Sequence, residues 1–186
     1  MKKKVVIVGL GLMGGSMAMA IHKYTDNEVY GYNRTRSVAE RALADGTLDG
    51  IADDNIISEA DIMIISLYPQ ATVDFLLEKM PKMKKGAIIV DLVGVKKYLD
   101  EKLTQPAKKA GVHFIGGHPM AGKEFSGYAF ADADLFMGAS MILVPNDSSP
   151  LWAVDEMDGF FNKLGFGQVV RCSPEQHDAM IAFTSQ

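Results

Sequence analysis

Residues 5–14 read VVIVGLGLMG. Four β-branched residues in succession, with no polar alternation, describe a strand covered on both faces. Three glycines follow at once, and each answers a separate need. Gly9 permits a tight turn, Gly11 lets the backbone approach a pyrophosphate, and Gly14 allows a helix to pack closely on the strand. Apolar residues at Met13, Met17, Ile21 and Tyr24 then recur at helical spacing. The first N–H groups of such a helix have no partner within it, and its dipole favours an anion there. Gly9, Gly11, Leu12, Met13 and Gly14 are therefore the candidate residues for holding a dinucleotide phosphate, although a glycine turn of this kind also occurs for structural reasons alone.

The same alternation continues along the chain. Strands are expected at Val5–Val8, Glu28–Tyr32, Ile62–Ser66, Ala87–Asp91, His113–Ile115, Ser140–Val144 and Gly167–Arg171, with a helical stripe at Val73, Leu76, Leu77 and Met80. Apolar strands alternating with helices specify an α/β fold: a doubly wound, mainly parallel Rossmann-type sheet with helices on both faces. Near the end, Ser173, Pro174 and Gln176 form a helix start, with serine as N-cap, proline at the first helical position and glutamine placed for a capping box. That helix carries Met180, Ile181 and Phe183 and reaches Gln186 without a C-cap glycine. The expectation is a truncated chain, with a dinucleotide-binding domain over 1–172 and, over 173–186, the start of a helix leading into an absent helical domain.

Composition narrows the classes. The 186 residues are 48% hydrophobic and 23% charged, a globular profile with a net charge of -4 and no long basic run. Nucleic acid and anionic membranes find no electrostatic footprint here. No apolar window of about 20 residues exists to span a bilayer. With Cys172 as the only cysteine, no intrachain disulfide can form, and a cytoplasmic location is expected. No metal is expected.

Selection between the two nicotinamide dinucleotides falls to the end of the second strand. An acid there would accept hydrogen bonds from a ribose 2′-hydroxyl. This chain has Asn33, Arg34, Thr35 and Arg36 instead. A neutral Asn33 removes the repulsion that a 2′-phosphate would meet, and two arginines can supply charge-assisted hydrogen bonds. The cofactor expected is NADP rather than NAD, unless both arginines are simply solvated. Ser66, Leu67 and Tyr68 end another strand and join the cofactor side by the rule that ligands of open α/β sheets bind at carboxyl ends.

Residues 116–127 read GGHPMAGKEFSG. Glycines on both sides and a proline suggest a loop that presents His118 on the cofactor side, just past the strand His113–Ile115. A neutral imidazole there can take a proton from a substrate hydroxyl while hydride leaves the same carbon.

Taken together, GLGLMGGS at 9–16, DLVGVKK at 91–97, GGHPMAGKEFSG at 116–127 and SPEQHDAMIAFTSQ at 173–186 resemble the prephenate dehydrogenase family, whose arogenate-using members share these motifs. The resemblance implies oxidative decarboxylation of prephenate to 4-hydroxyphenylpyruvate in tyrosine biosynthesis, with His118 as the catalytic base. Substrate-binding roles would fall to Glu124, Lys123 and Gly94. It also implies a helical domain that makes the full-length form a homodimer and supplies an arginine for the dicarboxylate, so this chain alone should bind NADP but turn over little prephenate. Two departures stand out. Gly94 occupies the place of a family serine that assists the histidine, and Lys123 replaces a frequent threonine. His177 reads as a structural or interface residue. The alternatives are a β-hydroxyacid dehydrogenase relative, for which GGHPMAGKEFSG has no counterpart, and an NADP-binding module without turnover.

Overall fold

A computed structural model describes residues 1–184. The chain runs β1 (Lys4–Val8), α1 (Leu12–Tyr24), β2 (Glu28–Tyr32), α2 (Arg36–Ala44), β3 (Gly50–Ile51), α3 (Asp54–Ser58), β4 (Ile62–Ile65), α4 (Pro69–Lys79), β5 (Ile88–Asp91), α5 (Lys97–Ala110), β6 (His113–Pro119), β7 (Ser140–Val144), α6 (Leu151–Lys163), β8 (Gln168–Arg171) and α7 (Pro174–Thr184). The strands form one eight-stranded sheet in the order β3-β2-β1-β4-β5-β6-β7-β8. Every pairing is parallel except β6 with β7.

Period-2 alternation in fully apolar strands explains the double winding. Val5, Ile7, Ile62, Ile64, Ile88 and Val90 pack on one face with α1, α2 and α6. Val6, Val8, Met63, Ile65 and Ile89 pack on the other with α3, α4 and α5. Each fully buried side chain of this kind contributes roughly 1.5–3 kcal/mol. Strand order reverses direction at β1, whose neighbours are β2 and β4. That reversal opens the crevice where open α/β sheets take ligands.

Three sequence expectations change. The two-residue β3 has too short an apolar signal to be read in advance. Leu77 is 45% exposed on α4, while Val73, Leu76 and Met80 are buried as expected. Most consequential, β6 runs on to Pro119, so His118 lies within a strand rather than in a loop. Its first three residues pair with β5, and Gly116–Pro119 then pair antiparallel with β7, His118 opposite Ile142. The glycines there mark crowding. A Cβ on Gly117 would lie 2.5 Å from the Asp91 carbonyl oxygen, 2.7 Å from Val90 Cγ1 and 2.8 Å from Met141 Cε.

The helix start at Ser173 forms as expected: the Ser173 N–H donates to Gln176 Oε1 at 2.9 Å and the Gln176 N–H to Ser173 Oγ at 3.2 Å. The expected end of that helix at Gln186 lies outside the described residues. Among the described residues no helix is long and apolar enough to cross a membrane.

Candidate functional site

The turn from β1 into α1 is built by exclusion. Gly9 has φ +88° and donates its N–H to the Tyr32 carbonyl at 2.8 Å. A side chain there would overlap the Ser66 carbonyl oxygen, and one on Gly14 would overlap the Gly9 carbonyl oxygen. Gly11 differs, because a Cβ placed on it meets nothing within 4 Å. Gly11 is also the N-cap of α1, so no side chain caps the helix, and no acid occupies its first turn. The N–H groups of Leu12, Met13 and Gly14 thus face an open approach at the positive end of the helix dipole. These features fit a pyrophosphate.

Asn33 is more than the absence of an acid. Its Oδ1 accepts the Leu10 N–H at 2.9 Å and its Nδ2 donates to the Thr35 carbonyl at 3.0 Å, tying the end of β2 to the glycine turn. Arg34 and Thr35 are exposed beside it. Arg36, also exposed, donates to Glu40 at 2.9 Å along α2, so of the two arginines it is the one already engaged. Ser66 and Leu67 are partly buried at the carboxyl end of β4, with the Ser66 carbonyl pressed on Gly9. Tyr68 is 87% exposed at the N-cap of α4.

Around His118 the structure assembles residues from four elements. His118 Nδ1 lies 2.8 Å from His177 Nε2, and His177 Nδ1 lies 2.7 Å from Asp178 Oδ1. The Asp178 carboxylate also accepts the backbone N–H groups of Lys96 at 2.9 Å and Lys97 at 3.0 Å, which cap the start of α5. Burial raises the Asp178 carboxyl, but the His177 hydrogen bond and these two backbone donors outweigh it and hold it below the usual carboxylate range. Beneath them, the Lys96 ammonium pairs with Asp91 and donates to the Val93 carbonyl at 2.6 Å. The Asp91 carboxylate further accepts the Val93 N–H at 2.9 Å and the Gly117 N–H at 3.3 Å. Burial pushes the Asp91 carboxyl up and the Lys96 amine down, and their mutual attraction opposes both shifts.

His118 itself is lowered to about 4, first by burial, then by the Lys96 charge and by His177, with Asp178 opposing. The ring is neutral near pH 7. Its Nε2 has no hydrogen-bond partner among the described residues, and a Cβ on Gly94 would stand 3.8 Å from it. A neutral imidazole with one nitrogen held and the other open can accept a proton.

His177 is where the sequence reading fell short. It is fully buried, in keeping with the structural or interface residue that position alone suggests, but its bond to His118 was not foreseen. The available signal was the capped start at Ser173, which places residues 177 and 178 one turn into the helix. The remaining loop candidates stand apart from this network. Lys123 pairs with Asp132 at 3.0 Å, and Glu124 is exposed. Among the described residues no group of three or more His, Cys, Asp or Glu side chains is placed to hold a metal ion.

A glycine turn of this form at the switch point of a doubly wound sheet defines a dinucleotide-binding domain. The particular family follows from comparison. A profile described as "Prephenate dehydrogenase, nucleotide-binding domain" matches residues 17–170, and the chain belongs to the prephenate dehydrogenase family. It is 31% identical over 188 aligned residues to prephenate dehydrogenase of Bacillus subtilis, covering 100% of this chain and 50% of that protein. Its fold superposes on Synechocystis arogenate dehydrogenase with a TM-score of 0.89 at 28% identity, covering 100% of this chain and 64% of that one. Prephenate dehydrogenase from Aquifex aeolicus, in complex with hydroxyphenyl propionate and NAD+, gives a TM-score of 0.88 at 26% identity, covering 97% of this chain and 63% of that one. The chain thus spans half to two thirds of the length of these relatives.

Proposed function

We propose that this chain is the cofactor-binding portion of an NADP-dependent dehydrogenase that oxidatively decarboxylates prephenate to 4-hydroxyphenylpyruvate, with arogenate as the alternative substrate. The observation that carries the reading is the pairing of an open, uncapped α1 N-terminus at Gly11 with a neutral His118 whose Nε2 has no hydrogen-bond partner among the described residues, both at carboxyl ends of parallel strands. Gly9, Gly11, Leu12, Met13 and Gly14 hold the pyrophosphate, and Ser66, Leu67 and Tyr68 flank it. Arg34 takes the 2′-phosphate, with Asn33 and Thr35 shaping its approach. Arg36 contributes only if it releases Glu40.

A nicotinamide dinucleotide held at the glycine turn would supply the hydride acceptor. His118 Nε2 takes the proton of the ring hydroxyl as hydride leaves the same carbon, and carbon dioxide departs as the ring becomes aromatic. The proton then returns from Nε2 to the phenolic oxygen, so His118 ends as it began. A dicarboxylate also needs cationic partners. Lys96 is spent on Asp91 and Lys123 on Asp132. Residues 1–172 therefore form the cofactor domain. The helix from Ser173 leads toward the part of the full-length homodimer that supplies the remaining cation. The family match supports this reading over the β-hydroxyacid dehydrogenase alternative.

Steady-state assays with prephenate, arogenate and 3-hydroxy acids, on this chain and on a full-length form, test the substrate; turnover of a 3-hydroxy acid alone defeats the reading. Titration of both dinucleotides tests the cofactor. Loss of a hydrogen bond to a charged group is worth roughly 1.5–3 kcal/mol. Arg34→Ala is therefore expected to weaken NADP by at least about tenfold and to leave NAD nearly unchanged; equal affinities in the parent chain defeat the NADP assignment.

A further inference from the structure

We propose that His177 and Asp178 are positioning residues that set the tautomer of His118, so that its Nδ1 carries the proton and its Nε2 presents a lone pair. The inference rests on the reading of His118 as base and specifies what that role requires. Asp178, held ionised by two backbone N–H donors from the start of α5, can only accept. The proton between it and His177 therefore sits on His177 Nδ1, at 2.7 Å. With a single ring proton, placed on Nδ1 by Asp178, His177 presents Nε2 as an acceptor, and the proton in the 2.8 Å contact is then that of His118 Nδ1. Once His118 Nδ1 is the donor, the open Nε2 is the basic atom.

Among the described residues, nothing on the opposite side does this work. Gly94 offers no side chain, and the position its Cβ would take is 3.8 Å from Nε2. Burial of His177 at 0% exposure keeps water from competing for the contact. Asp178 has a second consequence, because the same carboxylate caps α5 and orients His177, so β6, α5 and the first turn of α7 are locked in one arrangement. The buried Lys96 and Asp91 pair lies within this arrangement and bonds the Gly117 N–H, immediately before His118. An acid that orients an imidazole from its far nitrogen follows the logic of a Ser-His-Asp triad, extended by one ring.

Nitrogen-15 correlation spectra of the imidazoles in this chain at pH 7 test the proposal without any turnover. His118 is expected as the Nδ1–H form, and an Nε2–H form in the parent chain overturns the idea. His177→Gln, whose Oε1 can stand in for the acceptor, is expected to keep that tautomer, and His177→Leu to lose it; an unchanged tautomer in His177→Leu also overturns it. If His177→Leu does not fold, the parent spectrum and His177→Gln decide. In a form that turns over prephenate, His177→Leu is expected to lower kcat by about 10²-fold with the cofactor KM unchanged, the scale of a misplaced general base. His177→Gln should restore most of it, and unchanged kcat in His177→Leu refutes the positioning role. Absence of prephenate turnover in every form would count against the proposed substrate and leave the tautomer result standing.

Discussion

The chain contains two glycine-rich segments, 9–14 and 116–117, and they are glycine for different reasons. At Gly14 and Gly117 a side chain would run into backbone, so the residue is required by what the protein packs there. At Gly11 a side chain would meet nothing, so the protein's own packing gives no reason for glycine. The difference separates a packing requirement from a space kept for something else. Glycine content alone does not distinguish them, since both segments read as turns or loops from composition.

The largest effect expected is on stability. Gly117→Ala forces a Cβ to within 2.5 Å of the Asp91 carbonyl oxygen between paired strands, and Gly14→Ala drives one into the Gly9 carbonyl. Neither obstacle is the free end of a flexible side chain, so each variant should lose about 3 kcal/mol or more. Denaturant unfolding measures this; a loss of under about 1 kcal/mol at either position would show that the backbone there can yield.

Next in size is the chemistry supported by the second segment. His118→Asn in a full-length form is expected to lower turnover by about 10²-fold or more while NADP affinity stays within experimental scatter. Near-normal turnover would remove His118 from the mechanism and leave Gly116 and Gly117 as packing features only.

The two segments were unequally legible in the sequence. The run VVIVGLGLMG declares strand, turn and helix within ten residues, because its signals are local: β-branched residues, spaced glycines, then helical period. The segment around His118 is decided by contacts far apart in sequence. Its extension as a strand depends on pairing with β7, and its chemistry depends on His177 and Asp178, 59 residues from His118 in the case of His177. The motif GGHPMAGKEFSG located the histidine, but no local pattern could report that its partner would be another buried histidine. Asn33 shows the same limit: its neutrality was readable, its bond to the Leu10 N–H was not.

A smaller effect should appear in the pH dependence of stability. His118 falls from an ordinary value near 6.5 to about 4 on folding. Between those values the unfolded chain binds the proton and the folded chain does not, so stability falls as pH drops from 6.5 toward 4 and gains nothing from this group above 6.5. Discounted for the part of the ring that water screens, the effect is on the order of 1 kcal/mol. Unfolding at pH 7 and pH 5 should show it in the parent chain and lose that part of the slope in His118→Asn; identical slopes would place the titration elsewhere.

The smallest expected change in stability is the sharpest test of the comparison. Gly11 has φ −81° and ψ −155°, an extended conformation that alanine also adopts, and its added Cβ would touch nothing. Alanine is a poorer N-cap than glycine by a few tenths to about 1 kcal/mol. Against this, alanine restricts the unfolded chain and gains about 0.4–1 kcal/mol. The two terms nearly cancel, so Gly11→Ala should unfold within about 0.5 kcal/mol of the parent. Its effect should appear only when a ligand arrives, because the methyl group then occupies the approach that a pyrophosphate needs. A dinucleotide affinity reduced by at least about tenfold, with stability unchanged, is the expected pair of results, read by calorimetry and by unfolding on the same sample. Unchanged affinity would mean that the phosphates lie elsewhere, and a large loss of stability would mean that Gly11, like Gly14 and Gly117, is there for packing.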